Sequence, residues 1–229
     1  RQIEEQAEQD RRHKENQLVV RENLNREAIN ELILTVNTCY TTLAAVRENY
    51  SQLLTPNLDE RMFQVPVIKG VSLEPVDMKV LTKLFFLVPP KGEEGKNWSQ
   101  LTDIEMMLSN YNTLARLWEE RNIIREGVQE AFLANGVPHG FPEAELYKYL
   151  EPQTRQKLMS FTERVVSLSR ELYVDLGDFL AEFQHAYEPR LNRKLPKDLL
   201  IQVIQFEDWD LERRHSFFVE EVLPDLEVL

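Results

Sequence analysis

The spacing Glu-x-x-His occurs twice in the chain, as Glu182 to His185 and as Glu212 to His215. On a helix it sets a carboxylate and an imidazole on neighbouring positions of one face. Two such pairs, joined by a glutamate from each of two further helices, make the ligand set that holds two iron or manganese ions inside a bundle. A helical wheel rejects the first pair, because His185 turns well away from the stripe of Leu172, Leu176, Phe179 and Phe183. His215 shares a face with Leu211, Phe218 and Val222, with Glu212 on its flank, so these two residues are the one metal or small-ligand candidate that survives. The other glutamates are missing, since Leu, Val and Phe fill the mid-stripe positions of the long helices. The expectation is therefore no metal and no cofactor, with His215 as a hydrogen-bonded boundary histidine.

Other chemistry fails on its own terms. No arginine precedes His13, His139, His185 or His215 by five to seven positions, so the Arg-x4–6-His signature of HEPN-type ribonucleases is absent. No Gly-x-Ser-x-Gly elbow occurs, and the lone Cys39 lies on an apolar stripe, which makes it a small core residue rather than a nucleophile. The loop 91–96 lacks the Gly-Lys-Ser or Gly-Lys-Thr ending of a phosphate-cradling loop. Glu207, Asp208, Asp210 and Glu212 lack the internal glycine and spacing of a calcium loop; at a helix start they complement the helix dipole. Trp209 and Phe217 fall away from the inward face of the last expected helix, from about Asp208 to Leu223, and are the candidates for a surface that meets a partner.

Composition narrows the partner. The 229 residues carry a formal net charge of −12, which disfavours a phosphate backbone because such binding needs clustered Lys and Arg. Residues 196–229 hold nine Asp and Glu against Lys197, Arg213 and Arg214. One cysteine excludes an intrachain disulfide framework and fits a reducing compartment. No run approaches the ~18 apolar residues of a membrane span. Arg1, Arg11, Arg12 and Lys14 have the character of juxtamembrane positive charges. The expectation is a preceding membrane anchor with this chain on the cytoplasmic side.

The elements that must position these residues read as all-α. Seven glycines, 42% hydrophobic and 29% charged residues suit a helical protein. From Asn23 to Leu54 the residues Ile29, Leu32, Val36, Cys39, Leu43, Val46, Tyr50 and Leu53 recur at intervals of three and four, the stripe of a long helix. With no Gly or Pro from Arg1 to Thr55, this helix extends upstream through residues 1–22, a polar spacer or juxtamembrane segment that projects from the bundle, or a weak coiled coil. Pro56, Pro66, Gly70 and Pro75 predict an extended, Pro-containing loop over 55–75, in which Phe63, Val65 and Val67 alternate. Val76 to Leu87 predicts a short apolar helix with Val80, Leu81, Leu84, Phe85 and Leu87 in the core.

A second long helix starts near Asn97 or Ser99, carries Leu101, Ile104, Leu108, Tyr111, Ala115 and Trp118, and is interrupted by the polar patch 119–122. That patch marks a kink or a place where a neighbouring helix has ended. The stripe resumes with Ile124, Val128, Ala131 and Phe132 up to a Gly136 cap. A short helix over 142–150 precedes the third long one, opened by Pro152 with the stripe Leu158, Phe161, Val165, Leu168, Leu172, Leu176, Phe179 and Phe183 and ended or bent by Pro189. The whole predicts a bundle of three long helices and several short ones, one domain over 23–229. It reads as a non-enzymatic interaction or scaffold domain that binds itself or a protein partner. The alternative is a sensor or enzyme with a small-ligand or metal site near Glu212 and His215.

Overall fold

The computed structural model describes residues 2–67, 72–87, 98, 100–137 and 146–191, with side chains from 5 to 183. Among them there is no strand, and the fold is all-α. Three long helices dominate: α1 (Gln2–Glu48), α3 (Leu101–Ala134) and α4 (Pro152–Leu191). A two-turn helix α2 (Leu58–Gln64) and three 3-10 segments, Ser51–Leu53, Met78–Leu87 and Tyr147–Tyr149, complete the described elements. No described helix is long and apolar enough to cross a membrane.

Chain packing divides the described residues into two compact units. One comprises 2–37, 77–87, 98, 100–106 and 178–191, the other 38–67, 72–76, 107–137 and 146–177. The first unit is built on Ala28, Ile29, Leu32, Ile33 and Val36 of α1, Val80, Leu81, Leu84 and Leu87, Ile104, and Phe179, Leu180 and Phe183 of α4, all buried. Phe179 and Phe183 stack at 4.3 Å, and Trp98, held at a φ of 62°, meets Phe179 edge-on at 5.6 Å. Full burial of each large apolar side chain contributes about 1.5–3 kcal/mol. Upstream of this core the α1 side chains 5–17 are exposed or, at Glu8, half-buried, and Arg11 and Arg12 share the Glu8 carboxylate at 2.9 and 3.1 Å. The polar character ends at Glu22, which is buried.

The segment before α3 departs from the expected α-helix. Met78–Leu87 is a 3-10 helix, and Leu81, Leu84 and Leu87, three residues apart, form its buried column. At three residues per turn such a spacing lies on one line, whereas an α-helix would spread it around the axis. Asp77 starts the segment, its carboxylate accepting from Lys79 N at 3.0 Å. Phe85 is correspondingly off the column and 67% exposed, not core.

The second unit carries the rest of the α1 stripe, Cys39, Leu43, Val46 and Tyr50, all buried; Leu53 lies beyond the helix and is 55% exposed. Tyr50 tilts against Trp118 at 5.8 Å, and Tyr40 stacks on Tyr173 at 4.8 Å with their hydroxyls hydrogen-bonded and Arg47 over the Tyr173 ring. The expected extended loop at 55–75 contains α2. Asn57 caps it by accepting from Asp59 N at 3.0 Å, with Pro56 just before the cap and Pro66 just after the C-cap Val65. The two prolines bound a helix rather than exclude one, because each lies outside the turns whose N–H groups must donate. Phe63 is thus a helical residue, packed with Met62, Val128, Phe132 and Leu158.

At the end of α3, Gly136 adopts a φ of 69°, with Val137 N donating to Phe132 O at 3.0 Å and Gly136 N to Leu133 O at 3.1 Å. These two bonds are a Schellman cap, the termination that Gly136 predicts. The stripe of α4 is rotated from its expected line in the first half: Thr162 and Ser169 are buried, while Phe161 and Leu168 are half-buried. The helix continues through Pro189 to Leu191. The expected caps at Asn97 and Ser99, most of the expected helix at 142–150, and everything after 191 lie outside the described residues.

Candidate functional site: a groove along α3

The sequence candidates divide cleanly. Trp209, Glu212, His215 and Phe217 lie outside the described residues. Of the first Glu-x-x-His pair, Glu182 is exposed, and the His185 side chain is outside the described set. Cys39 is buried, and burial pushes its thiol up to about 11 even though the neighbouring Tyr111 hydroxyl works against the shift. A thiol so held is overwhelmingly protonated at neutral pH and is a poor nucleophile. Among the described residues no group of three or more His, Cys, Asp or Glu could hold a metal ion.

What the second unit does build is a groove of about 870 Å³ between α3 and the segment 72–75. Its wall is fixed by Asn112, which acts as a bracket on the backbone. The Asn112 Oδ1 accepts from Val76 N at 2.7 Å and its Nδ2 donates to Val76 O at 3.0 Å. Leu73, buried, anchors the other end of the wall while Ser72, Glu74 and Pro75 stay exposed. The floor comes from α3, where Asn112, Arg116, Glu119, Ile123 and Glu126 recur at three and four residues and so share one face. At 1.5 Å per residue this face extends about 20 Å.

Beneath it sits the side chain that sequence reasoning missed. Arg121, in the polar patch 119–122, is 0% exposed. Its Nη2 donates to the carbonyls of Met62, at 3.3 Å, and Val65; its Nη1 donates to Pro66 O at 3.1 Å and Asn122 Oδ1 at 3.2 Å; its Nε donates to Thr162 Oγ1 at 3.3 Å. The guanidinium thereby caps the C-terminal end of α2, where unpaired carbonyls and the negative end of the helix dipole both favour a cation. Burial, with the neighbouring Arg125 charge, pulls its pKa down to about 9, so it stays charged at neutral pH. The patch does mark where a neighbouring helix ends; within it Arg121 is interior, while Glu119 and Glu120 are exposed and Asn122 is half-buried. The available signal was an arginine occupying a stripe position between Trp118 and Val128, matched by Thr162 on α4.

Two further arginines fix α2. Arg61 is buried and donates through Nε to Thr55 O at 2.8 Å and through Nη1 to Glu163 at 2.7 Å. Arg155 makes a two-pronged pair with Asp59 at 2.8 and 2.6 Å and lies over the Tyr147 ring.

The groove itself has the opposite character, because its charges are uncommitted. Glu74, Arg116, Glu119 and Glu126 make no ion pair or hydrogen bond among the described residues, and Ile123 is 64% exposed beside them. Trp118 lines the inner side with its ring buried and its Nε1–H without an acceptor among the described residues. Neither His nor Cys contributes to the described lining. Such a surface offers ionic contacts, hydrogen bonds and one apolar contact to a bound chain; it does not assemble a nucleophile with its base.

No protein-family model matches the chain, and no curated protein or solved structure is significantly similar to it.

Proposed function

We propose that the chain is a non-enzymatic interaction domain that acts by binding a protein. The observation that supports this is the groove along α3, a braced and elongated surface whose four charged side chains make no ion pair or hydrogen bond among the described residues. The wall held by Asn112 carries Glu74 and the α3 face carries Arg116, Glu119 and Glu126, so the four charges line one groove. Light scattering on a size-exclusion column and affinity capture with the immobilised full chain test the reading. A saturable complex is expected; a strict monomer that retains no protein overturns it.

A finer reading places the domain at the inner face of a membrane. It is supported by Arg11, Arg12 and Lys14, all exposed on the polar part of α1. Co-sedimentation with vesicles rich in anionic lipid is expected to exceed that with neutral vesicles, and to fall on substituting these three residues by Ala. Equal recovery with both vesicle types sinks this part alone.

A further inference from the structure

We infer that the groove receives an extended, basic segment of a partner protein with an apolar residue between its cations. This inference rests on the reading of the chain as a protein-binding domain and names the partner's chemistry. Three carboxylates, Glu74, Glu119 and Glu126, face one guanidinium, Arg116, and none of the four is neutralised among the described residues. In a chain of net charge −12 this surface steers cations toward it and repels phosphates.

The order of groups along α3 gives a finer pattern. From the Asn112 end it runs guanidinium at Arg116, carboxylate at Glu119, exposed apolar side chain at Ile123, carboxylate at Glu126. A complementary segment presents an acceptor, a cation, an apolar side chain and a second cation in the same order. Glu119 and Glu126 are separated by seven residues of helix, about 10 Å, which a polyproline II-like extended chain, at about 3.1 Å per residue and three residues per turn, covers in three residues with both side chains on the same side. The two cations of the partner are therefore spaced i and i+3 around an apolar residue. An extended partner also suits the wall, because segment 72–75 is itself non-helical chain lying beside α3.

The test measures fluorescence anisotropy of a fluorescein-labelled peptide, Lys-Leu-Ser-Lys-Leu-Ser-Lys, titrated with the full chain at low salt. Two comparison peptides replace every Leu by Ser or every Lys by Glu. The chain is used as wild type, as E119K/E126K, and as E105K/E130K, which makes the same change in net charge at exposed α3 positions outside the groove. Circular dichroism melts check that both double variants fold.

Saturable binding of the Lys-Leu peptide is expected, weakened on the order of tenfold by E119K/E126K and by less than about threefold by E105K/E130K. The Ser-for-Leu peptide and the I123S variant should each lose about threefold, and the Glu peptide should not bind. The Trp118 indole N–H resonance should shift on titration. Equal weakening by the two double variants, or no saturable binding of the Lys-Leu peptide, overturns the inference. So does a dimer of the wild type that dissociates in E119K/E126K, which would assign the groove to a second copy. If E119K/E126K still captures the partner that wild type captures, the groove assignment fails while the domain remains a protein binder; absence of any complex removes the wider reading itself.

Discussion

Two short helical segments, α2 in one unit and Met78–Leu87 in the other, are held by opposite means. Met78–Leu87 closes its own turns and buries a column of Leu81, Leu84 and Leu87 with Val80; its ion pairs, Lys83 with Glu31 at 2.6 Å and Lys79 with Asp77 at 3.8 Å, are on the surface. The seven residues of α2 are too few to persist alone, since isolated helices under about 12 residues are marginal in water. Beyond the burial of Met62 and Phe63, they are held by guanidinium groups reaching backbone and carboxylates: Arg121 to Met62 O, Arg61 to Glu163 and Arg155 to Asp59 join residues 59, 102 and 96 positions apart. Apolar burial is tolerant of small shifts and is set by local spacing. A directional cage is intolerant of shifts, and it fixes α2 against α3 and α4.

The comparison breaks most sharply at Arg121. Arg121→Ala removes five donor contacts and leaves the α2 carbonyls buried without partners, an expected loss of about 4 kcal/mol in urea unfolding. Arg121→Met, which keeps the volume, should recover only part of it, about 1 kcal/mol, if hydrogen bonding rather than packing is what matters. Full rescue by Met would make the two segments alike. Leu84→Ala, the matching cut in the apolar column, is expected to cost about 3 kcal/mol, insensitive to salt.

Asp59→Asn should cost about 1 kcal/mol, because its pair with Arg155 is two-pronged and half-buried, and 1 M NaCl should shrink that difference. Lys83→Ala is expected to change stability by under about 0.5 kcal/mol, its ion pair being exposed. Asp175 on α4 supplies the final contrast, a half-buried charge without the acceptor cage of Arg121. Burial first, then the Glu171 charge, raises its pKa in the fold. Its ionisation is therefore harder in the folded than in the unfolded chain: its contribution is most favourable below the unfolded pKa, near 4, and is lost as pH rises through the folded value. Asp175→Asn should raise the melting temperature by about 1 °C at pH 7 and leave it unchanged at pH 3.

Much of the fold was legible where one helix face meets an apolar core. The α1 stripe from Ile29 to Tyr50 is buried as its spacing predicts, and Gly136 caps α3 because only a residue tolerant of positive φ fits there. The failures share a cause. Helix α2 was hidden because Pro56 and Pro66 were read as interruptions, although each lies just outside it. Phe85 was placed in the core because an α-helical period was applied to a 3-10 segment. Phe161 and Leu168 were preferred to Thr162 and Ser169 because polarity was taken to mean exposure, and the Arg121 donor that accounts for Thr162 is 41 residues away.

The sequence by itself determined the helical class, the positions of the long helices and the inertness of Cys39, since periodicity, caps and burial on a stripe are properties of neighbouring residues. Tertiary structure alone decided that Arg121 is interior, that α2 exists as a helix, and that Glu119, Ile123 and Glu126 face a wall built from residues 72–75. A side chain's burial and the partner of its charge depend on which distant backbone arrives beside it. That encounter leaves no period in the chain; it leaves only an arginine where a leucine was expected.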